Sequence, residues 1–159
     1  MKMRFGLLAA VIALGYVSGA HAATSGSVTI QGTVPTVVAI TVTGIAPFNA
    51  LDLTTTQANL PVADVVEQSN DSLGYKVTMS STNAGSLKNG SLGSVAYTAK
   101  YNGTTVTLSA TPQQVTSTGS TTAVVNATKS LTISYTGAAS ASLMSGTYSD
   151  TLTFTIAAN

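Results

Sequence analysis

The chain has 159 residues, of which 7% are charged, with no cysteine, no tryptophan and a single histidine. That inventory excludes disulfide stapling and thiol chemistry, and it leaves few side chains able to act as a general base near neutral pH. A net charge of +1 provides no basic surface to neutralise phosphates, so neither nucleic acid nor an anionic membrane surface is an expected partner.

The N-terminus reads first as an export signal. Lys2 and Arg4 form its positive start, Phe5 to Val17 its apolar stretch, and Ala20-His21-Ala22 a small-x-small cleavage site, which assigns residues 1–22 to a cleavable signal peptide. The apolar stretch is interrupted by Gly6 and Gly15 and is well short of the ~20 residues that span a bilayer. No later segment is longer, so no membrane span is expected in the mature chain. Cleavage removes the only histidine. It leaves Lys76, Lys88, Lys100 and Lys129 facing Asp52, Asp64, Glu67, Asp71 and Asp150, a balance of −1.

Beyond residue 22 apolar residues recur every second position rather than at helical spacing, which predicts an all-β domain. Ser27 to Val34 alternates, with Val28, Ile30, Gly32 and Val34 on one face, and Pro35, lacking an N–H, breaks the ladder. Thr36 to Thr43 is nearly continuous in β-branched residues, the pattern of a strand buried on both faces. Short strands are expected at Leu51–Thr54 and Leu60–Val66, followed by an alternating one at Tyr75–Met79. Asn102-Gly103, between Val95–Tyr101 and Thr104–Ser109, is a type I′ hairpin signal. Ser117–Thr128 reads as a hydroxyl-rich loop with a weak edge strand, and Ser130–Tyr135 and Thr147–Ala157 as the last strands. Strands at this spacing predict an immunoglobulin-like Greek-key sandwich. No fixed internal period supports a β-solenoid instead.

No chemistry-bearing constellation appears. A serine nucleophile would need lysine as its base, yet the lysines carry no accompanying motif and read as surface charges. Asp64, Glu67 and Asp71 are the only acidic cluster; their spacing matches no calcium loop, and they read as a solvated strand end. The expectation is a protein that is not an enzyme, with no catalytic residues, no metal site and no cofactor.

The last strand places Tyr148, Leu152, Phe154 and Ile156 on one face, three residues before Asn159. A sandwich ending there is one strand short, with an apolar groove and an unpaired edge beside it. The Ala23–Val34 segment is the natural filler, supplied by another subunit or by its own chain.

Gly146-Thr147-Tyr148-Ser149-Asp150-Thr151-Leu152-Thr153-Phe154-Thr155-Ile156, taken with the alternating segment after the signal, resembles the subunits of chaperone-usher fimbriae, particularly the archaic group related to spore coat protein U domains. An aromatic at the penultimate position is absent, since Ala158 stands there. The resemblance implies donor-strand complementation, with residues 23–34 as the donor extension and 35–159 as the pilin-like sandwich. Val28, Ile30 and Val34 would be donor side chains and Gly32 the close-approach position, with Tyr148, Leu152, Phe154 and Ile156 along the acceptor edge. Implied partners are neighbouring subunits, a periplasmic chaperone and an outer-membrane usher. The implied destination, reached through the periplasm, is a cell-surface fimbrium serving adhesion or biofilm formation. The alternative is a monomeric secreted binding module or another surface or matrix protein. For a sugar site, Tyr97 and Tyr101 would be the stacking candidates, although aromatics total only 6% of the chain.

Overall fold

A computed structural model of the chain describes residues 25–159. The export-signal reading, with Lys2, Arg4 and His21, lies outside the described residues. In chain order the strands are β1 (Val38–Gly44), β2 (Gln57–Ser69), β3 (Tyr75–Ser81), β4 (Ser86–Lys88), β5 (Ser94–Tyr101), β6 (Thr104–Val106), β7 (Gln113–Ser117), β8 (Val125–Tyr135) and β9 (Leu152–Ala158). One sheet has the order β1-β2-β8-β5-β4, with β6 also on β5, and the other the order β7-β3-β9. Every pairing is antiparallel. The result is the expected all-β sandwich.

Two-residue alternation decides which side chains meet between the sheets. On β5, Val95, Tyr97, Ala99 and Tyr101 are buried while Ala96 and Thr98 face out. On β3 the buried set is Tyr75, Val77, Met79 and Ser81. β2 departs from strict alternation where its register shifts between Pro61 and Ala63; the irregularity tolerates Pro61, which has no N–H for the ladder, and turns both Val62 and Ala63 inward. Between β5 and β6, Asn102 and Gly103 take φ of 47° and 82°, the left-handed pair that a type I′ turn requires.

Several sequence expectations are corrected. β1 is not buried on both faces: among the described residues it pairs only with β2, and its second half is exposed. Leu51–Thr54 is a turn rather than a strand, because the Asp52 carboxylate accepts bonds from the Thr54 amide and hydroxyl and from the Thr55 hydroxyl. The second arm of the hairpin stops at Val106, β7 precedes the expected loop, and β8 begins at Val125, inside it. Glu67 is not solvated but fully buried. Residues 25–37 carry no strand, although Pro35 and Val37 are hydrogen-bonded to Asn70. Val28, Ile30 and Val34 are 84%, 92% and 84% exposed.

Candidate strand-acceptor groove

β1 and β9 are the outermost strands on the same side of the sandwich. Among the described residues each is hydrogen-bonded on one edge only, β1 to β2 and β9 to β3. They approach each other across the space between the sheets without pairing. An immunoglobulin sandwich of the constant type sets strands A, B, E and D against C, F and G. Here β1, β2, β8 and β5 take the first four places, and β3 and β9 take C and F. The place of G, beside β9, carries no strand among the described residues.

The seam opens into a cavity of about 350 Å³. Val62 and Ala63 of β2 with Leu131 and Ile133 of β8 form its floor, Val42 and Gly44 of β1 one wall, and Leu152 and Phe154 of β9 the other. The walls are only half-buried: Leu152, Phe154 and Ile156 are all intermediate in exposure, and Val42 is 48% exposed. Phe154 rests against Tyr101 with ring centroids 5.5 Å apart and a tilt of 38°. Of the acceptor residues expected from sequence, Leu152 and Phe154 line the cavity, and Ile156 continues their face further along β9, opposite Val77.

Tyr148 belongs elsewhere. It precedes β9, and its hydroxyl donates to the Met144 carbonyl at 3.0 Å; it lines an adjoining cavity of about 370 Å³ with Gly146 and Asp150. The reason is a change of sheet. Ser149 exchanges two backbone hydrogen bonds of 2.9 Å with Lys88 of β4, whereas Leu152 already pairs with Ser81 of β3. Asp150 sits at the crossing. One of its carboxylate oxygens accepts from the Ser81 hydroxyl at 2.5 Å and the Tyr97 hydroxyl at 2.7 Å, and the other from the amides of Asn83 and Thr151. Burial pushes the Asp150 carboxyl up, but these four bonds outweigh it and hold the group below its ordinary value. Gly146 takes φ 145°, a backbone conformation that side-chain-bearing residues rarely adopt.

Around Glu67 the interior is closed. Glu67 on β2 accepts from the Tyr75 hydroxyl at 2.8 Å, the Tyr101 hydroxyl at 2.6 Å and the Thr116 hydroxyl at 2.8 Å. Its donors come from β3, β5 and β7, so one carboxylate ties the two sheets together. Burial, together with the bond to this carboxylate, pushes the Tyr75 phenol up to about 12 and the Tyr101 phenol up as well. Tyr97 and Tyr101, the stacking candidates for a sugar, are 7% and 3% exposed, with their hydroxyls committed to Asp150 and Glu67. Neither ring is presented as a platform.

Sequence reasoning missed Glu67 as a core residue, although Ala63, Val65, Glu67 and Ser69 alternate in step and all face inward; that periodicity was the available signal. Phe48, which lines both cavities, had none, because its place depends on how the β1–β2 loop turns back. The chain matches no model of a known protein family and no curated protein.

Proposed function

We propose that the chain is a structural subunit of a cell-surface fimbrium, exported through the periplasm and assembled by donor-strand exchange. The occupant of the groove in this reading is the Ser27–Val34 segment of a second copy or a related subunit, with a chaperone strand holding the place during export. The observation that carries the reading is the open seam: two strand edges that are unpaired among the described residues flank a cavity with an apolar floor. The other half of the fit is the N-terminal segment, which presents Val28, Ile30 and Val34 almost fully exposed in a strand-like alternation. Burying three aliphatic side chains contributes roughly 5–9 kcal/mol before ordering costs, and pairing along both edges adds to it. A role in attachment or biofilm follows from such a polymer.

The test compares the chain from Ala23 with one lacking residues 23–34, each with and without a synthetic peptide of residues 23–34. The longer chain is expected to form oligomers. The shorter one is expected to take up the peptide, and peptide at a hundredfold excess over Kd raises its Tm by roughly 5–10 °C. A shortened chain that is a stable monomer indifferent to peptide overturns the reading.

A further inference from the structure

The two cavities abut, sharing Phe48, Leu51, Leu87 and Asp150 among their linings. Phe48 stands at their boundary. It sits on the turn after β1, where its amide donates to the Ile45 carbonyl at 3.0 Å, and its ring lies over Gly44. A Cβ on Gly44 would come within 2.7–2.9 Å of three ring carbons, so the ring uses glycine's missing side chain as its seat. Even so, Phe48 remains 51% exposed. An aromatic side chain that covers an apolar floor while half in water gains part of a buried ring's packing, so displacing it costs less than extracting a fully buried ring yet enough to slow entry.

The cavity that the incoming strand must fill includes that ring. From Val28 to Val34 a strand covers about 20 Å, the same seven-residue span as β9, Leu152–Ala158. A strand beside β9 that reaches its Leu152 end enters the cavity that Leu152 and Phe154 share with Phe48.

We propose that Phe48 is a gate that occupies the groove of the unfilled subunit and swings out when the donor segment of a second copy enters. The inference rests on the strand-exchange reading and adds a rate-controlling element to it. The ring shields the floor before assembly, slows entry, and sets how far along β9 a strand can zip without displacing it.

The test uses the chain from Ala23 to Asn159 with a fluorescently labelled peptide of residues 23–34 as probe. The protein contains no tryptophan, so Phe48→Trp introduces a single reporter. Its emission is expected to shift to the red with the same time course as peptide uptake, while Leu92→Trp, at a 57% exposed site in the β4–β5 turn, does not respond. Phe48→Ala is expected to take up peptide about tenfold faster, the rate equivalent of removing a half-buried ring's packing. Phe48→Leu, which keeps an apolar side chain over Gly44, should fall between, and circular dichroism verifies that all variants remain folded. Peptide uptake with no change in the indole emission of the Phe48→Trp variant, or a Phe48→Ala rate equal to that of the unsubstituted chain, overturns the gate while leaving strand exchange standing. No uptake by any variant overturns strand exchange itself, and the gate with it.

Discussion

The sandwich has two unlike sides. Around Glu67 the interior is closed: Val65 and Val77 are 0% exposed, Met79 is 1% exposed, and no buried polar side-chain atom among the described residues lacks a partner. Along β1 and β9 the same two sheets leave apolar side chains half in water and strand edges unpaired. A carboxylate surrounded by three hydroxyls ties one side together, whereas the walls of the other side are only half-buried among the described residues. Completeness here is therefore a local property. On the strand-exchange reading, stability resides in the first side and association in the second, so mutations should separate the two.

The largest effect is expected from Glu67→Ala. It strands the buried Tyr75 and Tyr101 hydroxyls and the part-buried Thr116 hydroxyl and opens a hole between β2, β3, β5 and β7, for a loss of roughly 3–5 kcal/mol in urea unfolding. Strand uptake by the fraction that folds should be preserved. Alkali attacks the same side. The Tyr75 phenol is raised in the folded state from 10.0 to about 12, so its stabilising contribution is complete below pH 10 and is lost as pH rises through about 12. Near-ultraviolet absorbance should show the Tyr75 and Tyr101 phenolates appearing only together with unfolding; free titration of both near pH 10 in the intact fold would contradict the cluster.

On the open side Phe154→Ala should cost only about 1–2 kcal/mol, less than the 3–5 kcal/mol usual for a fully buried Phe, because the ring is already half-exposed. Loss of peptide binding or oligomerisation should be far larger than that stability change suggests; equal losses in both assays would erase the distinction between the two sides. The smallest effect belongs to Asp150. Its carboxyl is lowered from 3.8, so its contribution is present above that pH and fades as pH falls through the lowered value, with solvent screening at a half-exposed site keeping it modest. Asp150→Asn should flatten the acid limb of the stability curve without moving the alkaline one.

What could be read in advance follows from how local each signal is. The Asn102-Gly103 turn and the alternation of β5 are set by neighbouring residues, and both were legible. β4, of three residues, and β7, Gln113–Ser117, carry too little apolar pattern to stand out; distant partners make them strands. Glu67 was misread because a carboxylate is exposed by default and its donors lie 8, 34 and 49 residues away. In the groove, Leu152 and Phe154 were legible from alternation alone, and so was Ile156 further along the same face of β9. Tyr148 was assigned to the same face because nothing in the spacing marks the change of sheet at Asp150.

That change of sheet has a mechanical consequence. Ser149 is bonded into the larger sheet and Leu152 into the smaller one, with the Asp150 side chain riveting the step between them. Tension along β9 therefore spreads into both layers as shear, and many parallel hydrogen bonds must yield together rather than peel one after another. Resistance of that kind is a matter of how slowly the chain unravels under load, and a protein with only 7% charged residues and no cysteine obtains it from the route its backbone takes.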